Sequence, residues 1–395
     1  MTLHTPASEA EACAVVAEAA EKRTPLAVAG SGTKADLGRP AQTQATLSSS
    51  ALTGVTLYEP AELVIGARSG TPLAEVVRTL SERGQELPFE PMDYRPLLGS
   101  RGEPTIGAVA AANLSGPRRI TAGAARDSLI GVRFVNGRGE AVKSGGRVMK
   151  NVTGLDLVKL MAGSWGTLGL LTEVTFKVLP KAERSSTLIY RGLDDARAVA
   201  ALAAALGSPY EVAGAAHIPA ADRQGARTVI RIEGFSFSVA HRMGELRRLL
   251  LKSCGAPDIV EGKGADALWA SIRDATLLSD PRDRAIWRVS TAPTRAPQLA
   301  AEVARALDAR LFYDWGGGLI WLSTDPRGDA GAATIRAAVR AFGGHSMLVR
   351  APAEVRAMAD VFEPQGGTLM RLTGGIKAAF DPAGILNPGR MYAGI

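Results

Sequence analysis

Pro25-Leu-Ala-Val-Ala29 runs directly into Gly30-Ser31-Gly32-Thr33-Lys34-Ala35, and the reading of that junction decides the fold. The letters satisfy G-x-G-x-x-A after a strand, as in a Rossmann dinucleotide site with Glu59 as the late ribose acid. That fold needs a helix opening inside the motif, so that its N-terminus faces a pyrophosphate. Gly38 and Pro40 interrupt any such helix within two turns, and Glu59 falls later than the roughly 20 residues expected. What remains is a strand and a glycine loop, Ala29 to Lys34, whose successive backbone N–H groups can form an anion nest. The Ser31 and Thr33 hydroxyls and the Lys34 ammonium add donors. A plain tight turn would read the same way.

Two further segments share this grain. Pro104-Thr105-Ile106-Gly107-Ala108 opens a stretch of small residues that continues through Ala112-Asn113 to Ser115-Gly116-Pro-Arg118-Arg119. Such residues let a backbone approach a flat ligand closely, and a packed Ala-rich helix is the plainer alternative. Gly154 to Glu173 reads as a short amphipathic helix, a turn at Gly163-Ser164-Trp165-Gly166-Thr167-Leu168-Gly169-Leu170, and a long strand. It lacks G-K-[ST] and is not a P-loop. Three such connections in one region imply a large cofactor with a polar tail, threaded between two sheets.

Composition narrows the class. Of 395 residues, 46% are hydrophobic and 22% charged, enough to bury a large core over two or three domains. No run reaches the roughly 18 apolar residues of a membrane span, and the start shows no secretory pattern. Cys13 and Cys254 fit no metal or redox spacing, and the four histidines form no H-x-x-H pair. No metal is expected, and redox chemistry must borrow a cofactor. The net charge of +7 comes from scattered arginines without aromatic interleaving, so nucleic acid is not the expected partner. A small anion uses that charge better.

The chain divides by pattern. A helix over 7–22, capped by Ser8, precedes the first strand. Strands fit 55–58, 63–68, 130–135, 141–143 and 168–178, the last reading as the longest and stopped by Pro180; Pro72 opens a helix to about 83. From Ser186 the order is strand 186–190, helix 194–206, strands 211–217 and 227–233, helix 238–252 and strand 257–260. After a helical insertion near 266–274 it recurs: strand 285–290, helix 296–308, strands 309–313 and 318–323, helix 331–342, strand 345–349. Two β-α-β-β-α-β units of the ferredoxin-like kind would form one antiparallel platform with helices on one face. A helix at 368–379 and the Pro/Gly-rich tail Phe380 to Tyr392 end the chain; so much turn chemistry suggests docking.

The Pro25–Lys34 stretch, Thr105-Ile-Gly107, Gly163-Ser-x-Gly-Thr-Leu-Gly169-x-x-Thr-Glu and Phe380-Asp-Pro-x-Gly-Ile-Leu-Asn387-Pro-Gly-Arg-Met resemble the FAD-binding fold of the vanillyl-alcohol oxidase / p-cresol methylhydroxylase (PCMH) superfamily. Ala122-Gly-Ala-Ala-Arg126-Asp127, Val148-Met-Lys150-Asn151-Val-Thr-Gly154, Asp314-Trp-Gly-Gly317 and Gly343-Gly-His345 look like the FAD-binding E subunits of bacterial glycolate oxidases. The resemblance implies an α+β fold: a PCMH-type FAD-binding domain over 1–180 (subdomains about 1–70 and 71–180), a cap over 181–350, and a segment 351–395 returning to the first domain. It implies FAD, with the pyrophosphate on Gly30–Lys34 beside Ala29. Thr105, Ile106, Gly107, Arg126, Gly163, Ser164, Gly169 and Leu170 would embrace the rest, and Asn387 would reach the isoalloxazine. Ser31 and Thr33 stand where covalent relatives often carry His, so the FAD is expected to be non-covalent. Relatives acting on D-2-hydroxy acids carry a metal-binding His pair that His217, His241 and His345 do not offer.

The implied partners are a D-type flavin subunit, an F-type iron–sulfur subunit that feeds the quinone pool, and a small 2-hydroxy acid. The implied place is the cytoplasm, at the inner face of the membrane through those partners. Oxidising a 2-hydroxy acid needs a cation for the carboxylate and a base for the hydroxyl proton. Arg288 could supply the fork and His345 the base; a solvated edge-strand arginine and a structural histidine are the plain alternatives. Asp314, before Trp315-Gly-Gly-Gly, reads as turn chemistry. The expected function is that of an FAD-binding glycolate oxidase subunit, glycolate going to glyoxylate. Alternatives are a self-sufficient FAD-dependent 2-hydroxy-acid dehydrogenase and a flavin-binding relay without turnover.

Overall fold

The computed structural model describes residues 2–146, 155–220 and 225–395; the Val148–Gly154 motif lies outside them. The decisive strand, Leu26–Ala29, is the edge of a parallel three-stranded sheet whose centre is Ala45–Ser48 and whose far edge is Thr2–His4. Helix Glu9–Glu21 covers it with Ala12, Val16 and Ala19, and the Ser8 side chain accepts the Glu11 N–H as its cap. The chain's end completes this core. Ile385 and Leu386 are buried among the same residues, and the Ile385 carbonyl accepts the Leu26 N–H at 2.7 Å.

A second sheet is antiparallel, in the order Val55–Glu59, Val64–Arg68, Leu170–Lys177, Leu129–Val135, Ala141–Gly145. Its central strand, Leu170–Lys177, is buried at six of eight positions, as a strand covered on both faces must be. That strand shares the greatest length, eight residues, with Arg184–Arg191 and Arg227–Gly234. Beyond Val178 the chain turns away, and Leu179–Pro180 pairs with Gln85–Glu86.

The third sheet has eight antiparallel strands in the order Asp258–Glu261, Arg184–Arg191, Arg227–Gly234, Val212–Ile218, Arg310–Asp314, Leu319–Thr324, Ala285–Ser290, His345–Arg350. Each half is one β-α-β-β-α-β unit, and their second strands meet at the middle through a single registered pair, His217 with Tyr313. Period-two burial separates the faces. Trp287, Val289, Tyr313, Ile320, Leu322 and Leu348 pack with Leu299 and Val303 of helix Ala296–Ala306 and Ile335 and Val339 of helix Ala332–Phe342. Their alternates Ile286, Phe312, Leu319, Trp321 and Met347 pack instead with Phe89, Tyr94, Leu114 and Trp269. Arg288, one residue from Trp287, therefore points toward the body that carries the glycine segments.

The small-residue stretch after Pro104 is a short helix, Ile106–Ala111, with Thr105 at its N-cap. The stretch is helical, as the plainer reading has it. Alanines with no side-chain entropy to lose form helix readily, and Gly107 is there because a Cβ would lie 2.5 Å from Ser69 Cβ.

Candidate functional site

One cleft of about 640 Å³, partly open to solvent, receives all three glycine-bearing segments: Ala29 to Ala35, Gly107 with Ala108 and Ala111–Ala112, and Trp165–Gly166 with Gly169–Leu171. Ser69 and Arg390 complete its wall. Each glycine has its own reason. At Gly30 a Cβ would stand 2.4 Å from Thr105 Oγ1, and at Gly169 2.8 Å from the Val135 carbonyl, so both are demanded by chain packing. Gly32 faces open space but has φ +81°, the left-handed region where glycine is free of strain.

The cleft holds polar groups with nothing to bond. The Ser69 hydroxyl, in its wall, is buried without a partner among the described residues, a state that costs free energy unless a ligand supplies one; the Thr105 hydroxyl is likewise unpartnered but lies behind Gly30, outside the wall. Lys34 is 8% exposed, and its ammonium has no hydrogen-bond or ion-pair partner among the described residues. Burial pushes its ammonium down to about 8; Asp93 opposes that, and the charges of Arg390 and Arg95 reinforce it. An anionic group is what such a lysine lacks. Among the described residues the wall holds no His, Cys or Tyr. These residues fit a long, mainly apolar ligand with a phosphate-bearing middle, held without a covalent link.

Other expected residues lie elsewhere. Ile106 is in the core. Gly163, at φ +85°, and Ser164, whose hydroxyl is buried and unpartnered, belong to the turn behind Trp165. The Arg126 side chain is exposed and outside the cleft wall; its backbone N–H is capped by Asn113 Oδ1 at 2.9 Å. The Asn387 amide does not reach into the cleft, because it is spent on backbone. Its Oδ1 accepts the Val28 N–H at 2.9 Å, and its Nδ2 donates to the Val28 and Trp165 carbonyls at 3.1 and 2.8 Å.

A second cavity, about 440 Å³, lies under the eight-stranded sheet and shares Ala112 and Trp165 with the cleft. Arg288, Tyr94, Asp314, Trp315 and Trp321 are in its wall. The Arg288 guanidinium lies 5.0 Å from the centre of the Trp315 ring, and Arg119 lies at the same distance from that ring. Arg288 has no hydrogen-bond or ion-pair partner among the described residues, and burial lowers its pKa.

Asp314 is buried, and its Oδ1 accepts the Trp315 N–H at 2.7 Å. Burial pushes its carboxyl up to about 7, against that hydrogen bond; Glu90 adds to the rise, while Arg231 and Arg288 oppose it. Its turn chemistry was legible in the sequence. Its place in a cavity wall was not, since that depends on which sheet face it takes. His345 opens its edge strand more than a third exposed and outside both walls. The part of it that is buried, with Arg288 and Arg119 nearby, lowers its pKa. Among the described residues no group of three His, Cys, Asp or Glu side chains could hold a metal, and no helix is long and apolar enough to cross a membrane.

Residues 2–145 match the family model described as an FAD binding domain. The glycolate oxidase subunit GlcE of Escherichia coli (strain K12) is 35% identical over 378 residues, 96% of this chain and 95% of that protein. The glycolate oxidase subunit GlcD of Bacillus subtilis (strain 168) is 29% identical over 48% of this chain and 40% of its own length. Among solved structures, 4-ethylphenol oxidase from Gulosibacter chungangensis superposes with a TM-score of 0.71 at 17% identity, covering 99% of this chain and 88% of that one. A p-cresol methylhydroxylase structure gives 0.70 at 16% identity, with 98% and 88% covered. A cleft suited to a phosphate-bearing apolar ligand, this shared fold, and sequence likeness spanning both chains nearly end to end lead to one assignment: the chain belongs to the family of the glycolate oxidase subunit GlcE, flavin-dependent oxidoreductases that bind FAD on the p-cresol methylhydroxylase fold.

Proposed function

We propose that the chain is the FAD-holding E-type subunit of an oxidase complex that converts glycolate, a small 2-hydroxy acid, to glyoxylate. It would work beside a D-type flavin subunit and an F-type iron–sulfur subunit through which electrons leave for the quinone pool, with the assembly in the cytoplasm at the inner face of the membrane. Residues 1–180 with 351–395 hold the cofactor in this reading, and 181–350 cap it. Bound FAD supplies the two-electron acceptor. The pyrophosphate would be held by the amides of Gly30–Lys34 with Lys34 as counter-charge, and the unpartnered Ser69 hydroxyl in the wall, with that of Thr105 behind Gly30, would be available to the cofactor.

One observation carries the reading: the cleft lined by the three glycine-bearing segments shares Trp165 and Ala112 with a neighbouring cavity, and the Arg288 guanidinium in that cavity's wall has no hydrogen-bond or ion-pair partner among the described residues. Arg288 receives the carboxylate, a charge-assisted fork in a site largely shut from water. Asp314, close to half-protonated near neutrality, is better sited than His345 to hold the hydroxyl proton. The test is the as-purified chain. It should be yellow, release its flavin on acid precipitation, and show a glycolate-induced shift in the flavin spectrum that Arg288→Met removes. Sustained dye reduction should need the partner subunits. Rapid turnover by the chain alone would favour a self-sufficient dehydrogenase, and a glycolate-blind spectrum would favour a relay.

A further inference from the structure

The residues nearest the end of the chain are bonded to the first glycine loop, nearly 360 positions earlier. One Arg390 guanidinium donates to two carbonyls, Val28 through Nη1 at 3.4 Å and Lys34 through Nη2 at 2.9 Å. These carbonyls bracket Ala29–Thr33. The Asn387 amide takes both backbone groups of Val28 and also the Trp165 carbonyl, and the Trp165 N–H in turn donates to the Ala111 carbonyl. The turn Asn387–Arg390 thus ties together all three segments that wall the cleft.

A seat is built for it. Gly38 has φ +90°, and a Cβ there would lie 2.8 Å from Arg390 Cγ and 2.9 Å from the Arg390 carbonyl. That same carbonyl accepts the Arg39 N–H at 2.9 Å. The Arg390 guanidinium also stands 5.8 Å from the Trp165 ring centre.

We propose that the Asn387–Arg390 turn is a clamp that presets the Gly30–Lys34 loop for the FAD pyrophosphate, with Arg390 and Asn387 as positioning residues; this rests on the FAD reading above. A glycine-rich loop loses more freedom on ordering than any other. If the loop were loose, that loss would be charged against cofactor affinity; held from both ends, its amides are already arranged when the ligand arrives. With their carbonyls fastened to one guanidinium, Val28 and Lys34 hold the loop from both sides. Arginine is needed because one planar fork reaches two acceptors at once, which a lysine head on a flexible stem does not do rigidly.

The test uses the full-length chain and its variants Arg390→Ala, Arg390→Lys and Gly38→Ala. Two quantities are read: the FAD dissociation constant, by flavin fluorescence, and hydrogen–deuterium exchange of the 29–35 peptide after flavin removal. Arg390→Ala should weaken FAD by about 30-fold or more and speed exchange at 29–35 by about tenfold, with strand 285–290 unchanged. Gly38→Ala, which unseats Arg390 without removing its charge, should reproduce both effects, and Arg390→Lys should recover less than half of the loss on a logarithmic scale. If Arg390→Ala does not fold, the other two variants carry the same test. Exchange at 29–35 equal to wild type, or full recovery by lysine, would overturn the clamp. A wild-type chain that takes up no FAD would instead overturn the reading beneath it.

Discussion

Lys34 is buried in the cleft wall, its ammonium without an ion-pair partner among the described residues and held at about 8 against an ordinary 10.5. A pyrophosphate would restore it toward the ordinary value, so above pH 8 binding FAD must take up a proton. The sign follows: affinity is highest below pH 8 and falls as pH rises from there toward 10. The FAD dissociation constant should rise by about tenfold between pH 7.5 and 9.5, and Lys34→Met should bind weakly with a flat profile. Isothermal titration in two buffers of different ionisation enthalpy would detect the proton directly; a flat wild-type profile would remove Lys34 from the site. Asp314 is shifted in the opposite direction. Its folded value of about 7 exceeds the unfolded 3.8, so its contribution to stability is present below pH 4 and is lost as pH rises through 7. Urea midpoints at pH 5 and 8 should therefore differ by a smaller margin in Asp314→Asn than in wild type, the variant gaining a few kcal/mol at the higher pH. At this scale the glycines of the cleft could be read from the sequence, because their backbone demands are local. The Arg390 and Asn387 contacts could not, since each reaches a partner more than 200 positions away.

The elements of the eight-stranded sheet were legible almost residue by residue. Their strands are apolar runs bounded by turns, and their helices carry caps such as Asp194, whose side chain accepts the Arg197 N–H. Ala45–Ser48 was not, because its alternation is confined to Ala45 and Leu47 among serines and threonines, too short a signal to stand out; its two parallel neighbours make it a strand. Nor could any pattern reveal how the two half-sheets meet. They join through one registered pair, and side chains finish the seam: Tyr313 donates to Asp195 Oδ2 at 2.6 Å, His217 Nε2 lies 3.3 Å from Asp195 Oδ1, and His217 Nδ1 lies 2.9 Å from Thr228 Oγ1. Removing the hydroxyl leaves a half-buried carboxylate oxygen short of its donor. Tyr313→Phe should lower stability by about 1–3 kcal/mol. Chemical denaturation gives the number, and a loss under about 0.5 kcal/mol would mean the seam is held by packing of the flanking helices alone.

A partly buried network of charge joins the eight-stranded sheet to the body below it. Glu86, Glu90 and Arg118 come from the segment between strands Val64–Arg68 and Leu129–Val135, and Arg231 and Glu233 from the strand Arg227–Gly234. Arg231 holds Glu90 with both terminal nitrogens, at 2.9 and 2.7 Å, and Arg118 holds Glu233 at 2.8 and 3.0 Å while also pairing with Glu86. Arg231 further lies 4.6 Å from the centre of the Trp269 ring. Burial alone would raise the Glu90 pKa, yet Arg231 and Arg118 together hold it below the ordinary carboxylate value. Partners removed one at a time are therefore expensive. Arg231→Met strands Glu90 and should cost about 3–5 kcal/mol, whereas the paired change Arg231→Met with Glu90→Leu, which removes both charges, should return most of that loss. Because these residues bridge the two bodies, the single variant should also split the denaturation curve, the eight-stranded sheet letting go before the flavin-holding sheets unfold. Tryptophan fluorescence reports the first step through Trp269 and Trp315, and flavin release reports the second. Coincident transitions in Arg231→Met would show that the apolar contacts of Trp321, Phe312 and Met347 suffice to join the bodies, and that the charges set only their orientation.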